Sequence, residues 1–352
     1  MNRIHVRLVA SLVAALLLSA GVLVSPHRAA ACACGAVISE AKVSGEVSIL
    51  AWDGKRQSID MSMMLDRSTK NAGWIMPTPT VADITLGSSD DISVLARASA
   101  PRVEVKKVFR PLDHFFGVGS DGTGAEPRST GAQVLRTAEV GPFTVTTLTG
   151  TDAGAVNDWL SSNGYPSRDD LVPAFQTYLD QGWVLQAVRL TARTGGTAFQ
   201  EALPPLRMTF ATAQPVYPIL LSAQASIEQN LRLYVLAAGP MAVSQDASEH
   251  HPLNLVFSGK IPSDQLDNRL VPGDMVHLTA YEAFYYDPAD ISHDITFAAD
   301  PQLSDYQQVH TIYQNTAGGL VGLLVVVLLL VAPVAVILLI ARRIMRTATP
   351  PA

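Results

Sequence analysis

Two cysteines, Cys32 and Cys34, are all that the 352 residues contain. With no cysteine elsewhere to bridge to, the fold has to rest on an ordinary apolar core and not on a disulfide framework. A bond between residues two apart would close a strained ring. Free thiols, an intermolecular bond and a weak metal site stay open for the pair, copper(I) being the ion that soft sulfur ligands favour. A lipid on Cys32 is disfavoured by Ala29 and by Pro26-His27-Arg28, which separates the apolar run from the cysteine. Catalytic spellings are missing as well: there is no H-E-x-x-H, no P-loop and no G-x-S-x-G elbow. Gly117 to Gly122 does spell G-x-G-x-x-G, but the segment runs on through Gly124 and Pro127 without apolar period. It reads as part of a loop or internal boundary over 117–131 and not as a dinucleotide turn. No cofactor is implied.

Basic charge is scarce where it would matter. Arg3, Arg7, Arg28, Arg342, Arg343 and Arg346 lie in the two terminal segments, which hold no acids; the remainder carries 19 basic against 31 acidic residues, a formal net of −12. Such a surface repels nucleic acid and anionic lipid, so nucleic-acid binding is excluded.

Apolar runs, by contrast, are plentiful at both ends. Arg3 and Arg7 followed by Leu8 to Val24, and then Ala29-Ala30-Ala31, form a secretory signal over 1–31, with a second cleavage frame after Ala33. Gly318 to Ile340 has no charged side chain and is closed by Arg342, Arg343 and Arg346. As a helix it reaches about 34 Å, enough for a bilayer core of about 30 Å. The positive-inside rule then puts 32–317 outside the cytoplasm and the tail 341–352 inside, a single-pass protein of the cell membrane. Gly318 and Gly322 have the G-x-x-x-G spacing that lets two helices approach, which would suit a homodimer.

Between these ends the pattern is β-rich. Residues 46–52 and 57–65 alternate around Asp53-Gly54, a hairpin turn, with Ile59, Met61, Met63 and Leu65 on one face. Further strands are predicted at 74–76, 101–109, 134–139, 143–148, 183–191, 206–211, 219–223, 231–237, 253–258 and 275–286. Helices are predicted near 88–98, capped by Ser88, and near 152–162 and 168–181. Pro215 and Pro218 place their neighbourhood at a sheet edge. The expected class is α+β, mostly antiparallel with a few helices, plus the C-terminal transmembrane helix.

The densest chemistry is Asp287, Asp290, His293 and Asp294, a group of acids around one imidazole that could hold a cation or assist acid–base work, though a charged turn would account for it equally. His250-His251 reads as a solvated loop. The expectation is thus a non-enzymatic, membrane-anchored external module that binds an envelope or extracellular protein. The alternative is a hydrolase-like or metal-dependent enzyme built on 287–294.

Several segments in order carry a resemblance. They are Cys34-Gly35, Gly73-Trp74-Ile75-Met76-Pro77-Thr78-Pro79, Asp158-Trp159-Leu160 with Asn163-Gly164-Tyr165, and Tyr178 through Gly182-Trp183-Val184. Leu206 to Phe210 and Pro215-Val216-Tyr217-Pro218 complete the set. The chain resembles the bacterial domain-of-unknown-function family 2330 over roughly 34–299. That resemblance implies export, often with a membrane anchor, and no established reaction.

Overall fold

The computed structural model describes residues 36–37, 43–65, 72–108, 133–190, 203–267, 270 and 273–315, then 327–328, 331–332, 334–340 and 342–343. The expected signal at 1–31, Cys32 and Cys34, the 117–131 loop, Gly318 and Gly322, and most of the tail lie outside the described residues. Residues 334–340 are helical, and no helix among the described residues is long and apolar enough to cross a membrane.

The first elements are β1 (Ala36–Val37), β2 (Val43–Trp52), β3 (Arg56–Leu65), β4 (Ala72–Thr78), β5 (Asp83–Leu86), α1 (Ser89–Ala98) and β6 (Arg102–Val108). Then come β7 (Gln133–Val140), β8 (Phe143–Thr149), α2 (Ala153–Ser162), α3 (Val172–Asp180), β9 (Val184–Leu190), β10 (Leu206–Ala211) and β11 (Val216–Tyr217). The last are β12 (Gln229–Ala237), β13 (Met241–Gln245), β14 (Asn254–Pro262), β15 (Met275–Tyr285), β16 (Ile295–Ala299), β17 (Tyr306–Gln307) and β18 (Val309–Asn315). Three 3-10 turns lie at Asp169–Leu171, Leu220–Gln224 and Pro288–Asp290.

The chain divides into two units, residues 1–100 with 122–306, and 101–121 with 307–352. In the second, β6 and β18 pair in parallel from Val309 opposite Arg102 to Asn315 opposite Val108. Val103, Val105, Ile312 and Tyr313 of this ribbon are all exposed.

In the first unit an eight-stranded sheet has the order β17-β14-β15-β12-β2-β3-β10-β5, and a five-stranded sheet the order β1-β4-β9-β8-β7. A small third sheet runs β11-β16-β13. Pairing is mostly antiparallel, with β2 and β12 parallel. This β-rich α+β arrangement matches the class expected from the pattern.

Three apolar layers explain the order. One face of each large sheet meets in the main core, where Leu50, Ile59, Met208 and Leu233 lie with Trp74, Val145 and Val188. The far side of the five-stranded sheet (Ile75, Leu185, Ala187) packs on α2 and α3 through Val156, Leu160 and Phe175. The far side of the eight-stranded sheet (Ile49, Tyr234, Leu278) packs on Leu95 of α1 and on Leu266 and Leu270. Both large sheets are therefore covered twice, and Trp74-Ile75-Met76 shows why. Successive strand side chains point to opposite faces, so Ile75 joins one core while its neighbours join the other.

Local signals explain the elements. Asp53 turns the β2–β3 hairpin, its Oδ1 accepting from the backbone N–H groups of Lys55 (2.8 Å) and Arg56 (2.7 Å). Ser88 caps α1 by accepting from Asp90 N–H, and Asp152 caps α2 by accepting from Gly154 N–H. The strand expected at 219–223 is instead the Leu220–Gln224 turn. The Ile219 and Leu220 amides donate to Asp294 Oδ1 and Ser222 N–H closes onto Ile219 O, which leaves no ladder for a strand to join. Short strands at 83–86, 241–245 and 295–299 carry too few alternating residues to have stood out.

Candidate functional site

The first unit carries an open groove of about 590 Å³. Five stretches of chain build it: 79–80, 177–183, 211–220, 245 and 292–296. The α3 terminus sets one wall. Gly182 sits at φ +76°, a conformation that side-chain-bearing residues rarely adopt, and its N–H bonds Leu179 O while Trp183 N–H bonds Tyr178 O. This is a left-handed helix stop with two reversed hydrogen bonds. It brings the half-buried Trp183 indole against Tyr178, ring centroids 5.2 Å apart, on the groove lining.

The floor is anchored by Asp294. Its Oδ1 accepts from the Tyr178 hydroxyl (2.6 Å), Ile219 N–H (2.8 Å) and Leu220 N–H (3.0 Å). One oxygen thus ties α3, the 220–224 turn and the strand β16 entrance together. Burial pushes the Asp294 carboxyl above the ordinary carboxylate range, and these three donors only partly counter it.

Hydroxyls and amides line the rest. Thr80 Oγ1 donates to Ala211 O (2.9 Å), Thr177 Oγ1 to Pro173 O (3.1 Å) and Thr212 Oγ1 to Gln214 O (2.9 Å). Each hydroxyl proton is used within the fold, so what remains on each oxygen is acceptor capacity. Gln181 Nε2 donates to Thr177 O and Gln245 Nε2 to Asp294 O. Among the described residues Asp294 is the one acid on the lining, and no Lys, Arg or Glu stands there.

The four residues grouped by sequence have separate partners. Asp287 caps the 288–290 turn, its Oδ1 accepting from Ala289 N–H at 3.1 Å. Asp290 faces His251 Nε2 at 3.4 Å and His250 Nδ1 at 3.9 Å, which joins the 250–251 loop to this turn. His293 is exposed on the groove with Nδ1 2.9 Å from Ser292 Oγ. Asp294 points to the tie just described. So His293 and Asp294 share the groove, and Asp287 and Asp290 are not on its lining. No group of three or more His, Cys, Asp or Glu among the described residues is arranged to hold a metal. Trp183, Thr80, Thr212 and Gln214 carried no spacing signal that could have marked them as lining one groove.

A second polar centre lies inside the first unit, away from this lining. Arg207 on β10 stands directly opposite Asp60 on β3, and its Nε and Nη2 donate to the two Asp60 oxygens at 2.6 Å each. Nη1 reaches Asp267 at 3.0 Å, and Asp91 of α1 lies 3.8 Å from Nη2. Burial by itself would lower the Arg207 pKa, but its hydrogen bonds and charge attraction to Asp60 and Asp267 hold it above its ordinary value. Burial raises Asp91. All four side chains are held by the fold, with Asp60, Asp91 and Arg207 at most 2 % exposed, so the centre reads as structural.

No curated protein matches the chain. Two solved structures of baculovirus P35 are similar to it. The crystal structure of P35 shares 9 % identity over 75 % of this chain and 93 % of its own, with a TM-score of 0.33. A 3.1 Å structure of mutated P35 after caspase cleavage shares 7 % over 74 % and 98 %, with a TM-score of 0.36. These scores are too low to transfer anything of that protein's chemistry. A family model does match, over residues 28–298, which takes in the five-stranded sheet, the eight-stranded sheet except its edge strand β17, and every described residue of the groove lining. The chain belongs to the DUF2330 family, uncharacterized proteins conserved in bacteria.

Proposed function

We propose that this protein is a single-pass, membrane-anchored binding module of the extracytoplasmic face, with the Trp183–Asp294 groove as its binding site. The observation that carries the reading is the groove lining itself. It offers about 590 Å³, within the roughly 300–1,000 Å³ of small-ligand sites, with one aromatic wall and many hydrogen-bonding groups. Its one carboxylate has an oxygen committed to three donors of the fold, and its one imidazole is exposed beside a serine. Acid–base or nucleophilic work needs a base within reach of a nucleophile and a group that orients it, and His293 with Ser292 has no such third member among its described bonds.

Orientation follows from sequence. The signal at 1–31, the uncharged run 318–340 and the arginines at 342, 343 and 346 support an external 32–317. Gly318 and Gly322 support self-association within the bilayer. Alkaline phosphatase and fluorescent-protein fusions at the C-terminus report the topology, and a photo-crosslinker at Gln214 on intact cells reports occupancy of the groove. The expected result is a cytoplasmic C-terminus and a crosslinked adduct at 214; an external C-terminus, or an adduct pattern no different from that of a site on the far side, refutes the reading.

A further inference from the structure

We infer that the groove takes a neutral, polyhydroxylated ligand, a short uncharged oligosaccharide. This deepens the binding-module reading and rests on it. Four observations converge on that ligand class.

Charge comes first. No Lys or Arg stands on the lining among the described residues, so a phosphate, sulfate or carboxylate ligand would lose its hydration with only the exposed His293 imidazole as a source of counter-charge. A cationic ligand would meet a single carboxylate among the described lining residues, and three donors of the fold already share its Oδ1. Next is polarity. Thr80, Thr177, Thr212, Gln181, Gln214 and Gln245 all face the same space, too many hydrogen-bonding groups for an acyl chain. Donor direction narrows it further. Three of the four described lining threonines, Thr80, Thr177 and Thr212, spend their protons on Ala211 O, Pro173 O and Gln214 O, which leaves acceptor lone pairs for the ligand. A ligand rich in O–H donors satisfies them. Finally, the Trp183 ring, braced by Tyr178, gives a flat apolar surface beside these groups. A pyranose has the matching pair of surfaces, C–H groups on its face and hydroxyls on its rim, and an aromatic ring with adjacent polar groups is the complement of both.

The test uses the full-length protein in phosphatidylcholine nanodiscs, because sugar-headed detergents would compete. Saturation-transfer NMR and calorimetry are run with neutral trisaccharides of glucose, mannose, galactose, arabinose and N-acetylglucosamine, each at millimolar concentration. At least one is expected to bind. Trp183→Ala should then weaken it by about tenfold or more, and Trp183→Phe by much less. Trp183 also packs against the helix core, so Thr212→Val and Gln214→Ala serve as variants that leave that core alone, each expected to weaken binding by about threefold to tenfold. Unchanged thermal midpoints verify folding. Absence of binding by every trisaccharide overturns the inference, as does binding that neither Trp183→Ala nor Thr212→Val alters. The crosslinker at Gln214 separates the two levels. A captured peptide or protein with no saccharide binding refutes the ligand class and leaves the binding module standing; no adduct at 214 removes the module as well.

Discussion

Replacing Arg207 by Met tests whether the buried centre of the eight-stranded sheet is held by charge or merely filled. Arg207 and Asp60 face each other across β10 and β3 in a two-pronged pair of 2.6 Å bonds, with Asp91 and Asp267 around the same guanidinium. Methionine keeps much of the volume and removes the cation that the described residues place among these acids. Breaking such a buried pair costs about 3–5 kcal/mol, because the remaining carboxylates lose their compensation. For a unit of this size that lowers the thermal midpoint by about 5–9 °C. The double variant Arg207→Met/Asp60→Leu removes both partners and should recover most of the loss, since an apolar pair of similar volume is often neutral or better. Two further acids remain in the double variant, so its recovery should be larger in acid, where they take up protons. Circular dichroism against temperature from pH 4 to pH 8 reads all three. A loss under about 1 kcal/mol for the single variant, or a double variant no more stable than the single, refutes the reasoning.

Gly87 should tolerate no side chain: a Cβ there would lie 2.3 Å from Asp60 Oδ2 and 3.1 Å from Pro205 Cβ, and Asp60 is pinned by Arg207, so Gly87→Ala is expected to cost about 1–3 kcal/mol by thermal melt. Asp294 has its pKa raised by burial, so the stability it contributes is full below the ordinary value of 3.8 and is lost as pH rises through the raised folded value. Asp294→Asn keeps an acceptor for Tyr178 and should remove that slope from a pH series of midpoints; an unaltered slope counts against the assignment. His277 is buried beside Ser258 Oγ at 3.1 Å, and burial lowers its pKa from 6.5. Its contribution is present above pH 6.5 and lost as pH falls toward the depressed value, so His277→Gln should flatten the acid side of the stability profile between pH 6.5 and that value.

Much of the fold was legible because short-range chemistry specifies it. The β2–β3 hairpin follows from Asp53-Gly54, α1 starts where Ser88 can cap it, and α2 starts at Asp152. The edge place of Val216–Tyr217 follows from its flanking prolines. The period-two face of β3 was also correct, Ile59 and Met61 entering the main core. The opposite face was misleading: Asp60 of β3 and Arg207 of the neighbouring β10 look solvent-facing by alternation, yet both are buried, with Asp91 of α1 and Asp267 at the same guanidinium. A polar side chain tells nothing about the layer that will later pack over it. The groove was illegible for the same reason, its lining coming from positions as far apart as Pro79 and Thr296. Sequence neighbours misled in the other direction, since Asp287, Asp290 and Asp294 serve a turn cap, a histidine contact and an interior tie.

From residue order alone come the β-rich class, the family and the scarcity of cysteine, all of which depend on composition or on contacts a few residues long. Tertiary structure decided which polar groups are buried together, that one carboxylate oxygen would gather three donors, and that Trp183 would stand among threonines and glutamines. Those arrangements depend on which strands become neighbours. Pairing across well over a hundred residues, as between Asp60 and Arg207, leaves no periodic mark in the chain.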